Sequence, residues 1–202
     1  MTMSLDATTS CTICRPNQLG AAMIAELARL HIECLPSSLF SRLGFRSTHC
    51  LYRFVAGSNA ESLAVAFDQQ GLPVGASVTS FEPATLLRRA LLASPLSFFL
   101  LFNLNKLPWR SIGDSIDHGL QPLPELMFLF VSPALRSGGI GRELVLLAQN
   151  VVLASGGQEL SVLTEELQGN RAVDFYQQLG YGVRARARKF GKPFLVFTRR
   201  LP

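Results

Sequence analysis

From Glu125 to Ser155 an apolar run, a glycine-rich turn and an amphipathic stretch follow one another with no spacer between them. After Glu125, every residue from Leu126 to Val131 is apolar. Such a run lacks the alternation of a half-solvated strand and predicts a central strand covered on both faces. Ser132 to Gly139 reads as a loop. Ile140, Leu144, Leu147, Ala148 and Val151 then recur at helical spacing from Gly139 to Ser155, and Gly156-Gly157 stops the helix. A strand needing cover on two faces and feeding directly into a helix demands layered α/β architecture.

The flanking chain fits such layers. Leu19 to Cys34 places Ala22, Met23, Leu27, Leu30 and Cys34 on one helical face, and Pro36 ends that helix. Shorter helices are expected at Ser38 to Leu43 and Ser47 to Val55. Thr12 to Arg15, Ser62 to Phe67 and Val74 to Phe81 read as strands, the last two joined through the turn Asp68-Gln69-Gln70-Gly71. Pro83 to Pro108 is apolar and mostly helical, broken near Ser94-Pro95, and a loop runs from Trp109 to Pro124. Leu160 to Thr164 is a strand, Asn170 to Leu179 a helix ended by Gly180, and Tyr181 to Phe190 and Phe194 to Leu201 are final strands. The expectation is a mixed sheet with a helical insertion between its third and fourth strands. At 202 residues, with 48% apolar, the chain suits a single domain over 1–202.

Charge narrows the partners. The net +5 is scattered, which does not call for nucleic acid. Arg184, Arg186, Arg188 and Lys189 cluster, mostly at alternating positions, and read as a solvated strand face, or as a positive rim for a polyanion such as CoA or a nucleotide-linked substrate. Cys11 and Cys14 form a lone C-x-x-C without a second pair or a spaced histidine, so no metal site is expected, and reduced thiols fit a cytoplasmic protein. No signal peptide is expected, and Ala90 to Phe102 is too short for an integral membrane span. That apolar segment serves the core or a homodimer interface, or lies against a membrane surface. His31, beside the apolar stripe of its helix, reads as a structural histidine.

The chemistry concentrates in Arg136-Ser137-Gly138-Gly139-Ile140-Gly141. Such a loop exposes consecutive backbone N–H groups, and the open first turn of the helix adds its own. Glycines permit close approach, Arg136 and Arg142 add charge, and the sum is a pyrophosphate cradle. A P-loop would need Lys-Ser/Thr after the glycines, where Arg142-Glu143 stand. A Rossmann fingerprint fails at Leu144, and too little chain follows for a dinucleotide domain.

Downstream, Asn170, Ala172, Phe175, Tyr176, Gly180 and Tyr181 match N-x-A-x-x-[LF]-Y-x-x-x-G-[FY], while Arg136, Gly139 and Gly141 match R/Q-x-x-G-x-G/A. With Val131-Ser132-Pro133 ahead of the loop, roughly Glu125 to Phe190 resembles the GNAT family, the GCN5-related N-acetyltransferases. The resemblance implies a mostly antiparallel mixed sheet flanked by helices, with acetyl-CoA as co-substrate. It implies that the strand before the loop splays from its neighbour, so that the backbone of Leu129, Phe130 and Val131 pairs with pantetheine. Arg136, Ser137, Gly138, Gly139, Ile140, Gly141 and Arg142 would hold the pyrophosphate, and Asn170 would reach the CoA arm. Tyr176 would protonate the departing thiolate. A general base must also take the amine proton; Glu125 is the first choice, Glu165 and Glu166 the second. Acceptor selection would fall to Leu35 to Phe54, with a lid at Leu35 to Gly44, and to Phe81 to Pro124. The implied activity is N-acetylation of a primary amine on a small acceptor. A non-catalytic acyl-CoA-binding module and a transferase of longer acyl groups remain open.

Overall fold

A computed structural model describes residues 2–5, 9–14, 19–93, 123–189 and 191–202. The chain runs β1 (Thr2–Leu5), β2 (Thr9–Cys14), α1 (Ala21–Cys34), α2 (Leu39–Arg42), α3 (Phe45–Gly57), β3 (Glu61–Phe67), β4 (Pro73–Ser80), α4 (Pro83–Leu92) and β5 (Glu125–Val131). After a 3-10 turn at Pro133–Leu135 it continues as α5 (Ile140–Ala154), β6 (Glu159–Glu165), α6 (Arg171–Gln178), β7 (Gly182–Lys189) and β8 (Lys192–Arg200). The strands form one sheet in the order β1-β2-β3-β4-β5-β6-β8-β7. Only β5 and β6 pair in parallel; the other neighbours are antiparallel.

The polar N-terminus supplies a strand that hydrophobic patterning missed: β1 pairs Thr2 to Leu5 with Thr9 to Thr12. The expected third and fourth strands are therefore β4 and β5. Of the insertion expected between them, Pro83–Leu92 is helical; residues 94–122 lie outside the described residues, and with them most of the apolar segment Ala90 to Phe102. Arg89 of α4 donates to the buried Glu61 carboxylate, which also accepts from Ser80 Oγ at 3.0 Å, so α4 is fastened across β3 and β4.

Alternation along the strands makes two apolar faces. Leu63, Val65, Ala76, Val78 and Phe130 pack with α1, α3 and α4 on one. Ala64, Ala66 and Val74 meet α5 on the other, where Leu126, Leu160, Val162 and Phe197 pack with α5 and α6. The stripe of α1 differs from expectation. Ala22 is exposed, and the buried residues are Ile24, Leu27, Ala28, Leu30 and His31. A histidine can join an apolar stripe when both ring nitrogens are hydrogen-bonded, as they are here. No helix of the described residues is long and apolar enough to cross a membrane.

Candidate active site

The site begins with a fault in the sheet. Along β4 and β5 the register runs Val78↔Phe128 and then Thr79↔Leu126, so Met127 is an extra residue in β5. A bulge of this kind bends the strand and breaks its ladder. The break falls where pairing with β6 ends: Glu125↔Ser161 and Leu126↔Val162 are the whole parallel register. Beyond Leu126 the two strands part. Ser132 N–H donates to Val74 O at 2.8 Å, so Ser132 faces β4. Alternation then turns the backbone groups of Leu129 and Val131 toward the gap, and those of Phe130 toward β4. At the mouth of the gap Val131 O accepts from Cys34 Sγ at 3.5 Å and from Arg136 Nε at 3.3 Å. Burial and Glu33 push the Cys34 thiol up, with Arg136 opposing them. Cys34 and Cys50 are free and half-buried; nothing is described of the Cys11 and Cys14 side chains.

The glycine-rich loop stands at that mouth. Ser137 has φ 71 and Gly139 φ 82, on either side of Gly138. Left-handed backbone at every second residue turns successive N–H groups to one side and forms an anion-binding concavity. For Ser137 this conformation costs of order 1–2 kcal/mol, a strain that clusters at functional sites. The first main-chain bond into α5 is Glu143 N to Gly139 O, 3.1 Å. Among the described residues no acceptor receives the N–H groups of Arg136 to Arg142. The helix dipole concentrates positive potential at the same place. A Cβ at Gly141 would sit 3.5 Å from the Phe175 ring, so the first turn of α5 rests on α6. Phe175 had no role in the sequence reading beyond its motif position.

Asn170 caps α6. Its Oδ1 accepts from Ala172 N–H at 3.1 Å, and its Nδ2 donates to Thr164 Oγ1 at 3.0 Å and Glu165 O at 2.7 Å. The carboxamide thus ties the helix start to the end of β6. Tyr176 is 6% exposed and packs its ring on Tyr181 at 5.6 Å and Phe197 at 6.2 Å, in the cluster that holds Leu126 and Leu129. Burial drives its phenol far above the ordinary value, so it stays protonated.

Glu125 is buried where the gap closes. Desolvation raises its carboxyl, and the Lys189 ammonium, 4.0 Å from Oε1, partly opposes that. Glu165 and Glu166 stand in more exposed ion pairs with Lys192 at 2.7 Å and Arg186 at 2.8 Å. Arg184 pairs with Glu159 at 3.2 Å, so two arginines of the β7 row are engaged at the surface. Lys189 was grouped with that row by sequence; only the fold brings it to Glu125.

The stretch expected as a lid is packed down. Phe40 is buried, and Thr48 Oγ1 donates to its carbonyl at 3.0 Å. Ser38, the N-cap of α2, also bonds His31 Nε2 at 2.8 Å, while His31 Nδ1 meets Tyr52 OH at 2.8 Å. The His31 ring touches Phe128 and Phe130 of β5 edge-on. Burial lowers its pKa from 6.5 to about 4. It is a fully partnered, neutral structural histidine.

Residues 111–181 match the acetyltransferase (GNAT) family, a range that includes the bulged strand, the loop and α6. Solved structures share the fold. An aminoglycoside 6'-N-acetyltransferase complexed with coenzyme A aligns with TM-score 0.63 at 16% identity, over 95% of this chain and 98% of that one. The PaiA N-acetyltransferase from Thermoplasma acidophilum, in complex with coenzyme A, aligns with TM-score 0.59 at 12% identity, over 94% and 98%. A protein from Desulfovibrio desulfuricans assigned to the GNAT family gives 0.62 at 14%, over 95% and 99%. A search of curated protein sequences found no match. The family match over 111–181 and the shared fold over nearly the whole chain agree: the chain has the fold of GNAT acetyltransferases and carries a segment similar to that family.

Proposed function

We propose that the protein moves the acetyl group of acetyl-CoA to a primary amine of a small acceptor, by direct attack in a ternary complex. The carrying observation is the run of unpartnered N–H groups from Arg136 to Arg142 beside a gap bordered by β5 backbone that β6 does not pair. One end suits a diphosphate and the other an amide-rich arm, which is the chemistry of CoA. The cosubstrate supplies an activated acyl thioester; the chain supplies the rest. Leu129 and Val131 align the arm through the backbone groups they turn to the gap, and Arg136 and Arg142 add charge to the cradle. Asn170 holds α6 against the arm's path. Tyr176, kept protonated by burial, donates to the leaving sulfur, and a β5 N–H freed beyond the bulge stabilises charge developing on the carbonyl oxygen. Glu125 takes the amine proton. Its desolvated carboxyl favours that role over Glu165 and Glu166, which are held in ion pairs nearer solvent.

The test is acetyl-CoA binding by thermal shift, combined with thiol release against an amine panel. Wild type should be stabilised by acetyl-CoA and release thiol. Gly141→Glu brings a negative charge to the first turn of α5, beside the cradle, and should weaken binding at least tenfold, while Gly141→Ala, whose methyl has room at 3.5 Å, should fold and bind. Unchanged affinity in a folded Gly141→Glu protein would remove the cradle from the reading.

A further inference from the structure

The sequence holds only three lysines against sixteen arginines, and two of them, Lys189 and Lys192, stand opposite each other at the tip of the β7–β8 hairpin. Each meets a carboxylate on one of the strands that border the gap. Lys192 Nζ is 2.7 Å from Glu165 of β6, and Lys189 Nζ is 4.0 Å from Glu125 of β5. The two lysines differ in setting. The Lys192 side chain is 49% exposed and its carboxylate partner 25%, whereas Lys189 is 24% exposed and faces a carboxylate only 9% exposed. Glu125 is also the last residue but one before β5 parts from β6. A primary amine of this chain therefore lies at the closed end of the gap, beside a buried carboxylate that can accept its proton.

We infer that Lys189 is an acceptor of the enzyme itself: its ε-amine takes the acetyl group from acetyl-CoA bound in the gap. This rests on the reading of the gap as an acetyl-CoA site. The step is balanced by what is present. The Lys189 ammonium gives a proton to Glu125, and its freed lone pair forms the C–N bond as the C–S bond breaks. The thiolate takes the second proton of the attacking nitrogen and leaves as CoA, and the product is an Nε-acetyl amide. The product has lost the charge that faced Glu125, so the reaction happens once per chain and ends the ion pair. An arginine could not take the place of Lys189, because a guanidinium stays protonated and is no nucleophile at working pH.

The experiment incubates the full chain with acetyl-CoA and no added amine, then maps acetylated lysines by peptide mass spectrometry. A urea-unfolded sample gives the background of direct chemical acylation. We expect Lys189 to gain one acetyl group at least tenfold faster than Lys192 in the folded protein, with excess CoA suppressing the reaction and urea abolishing the preference. Glu125→Gln should cut the Lys189 rate by tenfold or more, and a Glu125→Gln chain that still shifts its melting temperature with acetyl-CoA has kept its fold. Lys189 unmodified in a protein that binds acetyl-CoA overturns the inference. So does equal labelling of Lys189 and Lys192 that neither CoA nor unfolding alters. Loss of acetyl-CoA binding in wild type would instead strike the reading of the gap, and is told apart by the thermal shift.

Discussion

His31 and Glu125 are both buried titratable residues, and burial moves each toward its neutral form. Their consequences for pH have opposite signs. The folded state keeps His31 neutral down to about pH 4, while the unfolded chain binds a proton near 6.5. Stability present above that range is lost as pH falls through it, by roughly 3 kcal/mol in all. Urea unfolding between pH 7 and 4 should show the decline, and His31→Gln should flatten it at some cost at neutral pH. For Glu125 the folded pKa is raised, so stability is fullest when it is protonated and declines as rising pH ionises it. Glu125→Gln should therefore raise the melting temperature at neutral pH while lowering kcat/KM about 10²–10⁴-fold, the range for losing a general base. In wild type, kcat/KM should fall with an acid limb above the usual carboxylate range. A limb at an ordinary carboxylate pKa, or a Glu125→Gln enzyme with full activity, would pass the role of base to another group.

Among the elements, β5 and α6 set the geometry. The extra residue Met127 changes which side chains share a face, so Met127, Phe128 and Phe130 go to the α1 side while Leu126, Leu129 and Val131 go to the α5 side. The half-burial of Met127 to Leu129 marks the part of β5 that β6 does not cover. Helix α6 has only eight residues, too few to hold by propensity, and depends on its cap and its aromatic face. Asn170→Ala removes the Oδ1 cap, takes the Asn170 donor from Thr164 Oγ1 and leaves Glu165 O with the Leu167 N–H alone. A loss of about 2 kcal/mol is expected in urea unfolding, with KM for acetyl-CoA raised as α6 loosens beneath Gly141. Asn170→Asp keeps the cap oxygen and loses the donors, so an intermediate effect would separate the two contributions.

On the scale of the molecule, the two apolar faces meet through the sheet, and Gly75 marks a close approach between elements. A Cβ there would stand 2.9 Å from Phe130 O and 3.4 Å from Leu144 Cδ1, where β4, β5 and α5 come together. Gly75→Val should cost on the order of 3 kcal/mol by overpacking and lower acetyl-CoA affinity by shifting β5, and near-wild-type values of both would show that the contact can relax. The sequence alone determined the strand–loop–helix unit from Glu125 to Ala154, the closing helix and hairpin, and the loop residues of the candidate cradle, because hydrophobic period and glycine placement are local signals. It also singled out Glu125 and Tyr176, through the residues that resemble the family. Tertiary structure alone decided the rest. Patterning passed over β1, which is held by pairing with β2 and not by an apolar period of its own. The stripe of α1 turned so that His31 joined the core, a place available only once Tyr52 and Ser38 satisfied its ring. The bulge at Met127, the seat of Gly141 on Phe175 and the meeting of Lys189 with Glu125 are contacts between distant segments. Such contacts leave no local period to read, because their free energy depends on burial and charge that exist only when the chain has folded.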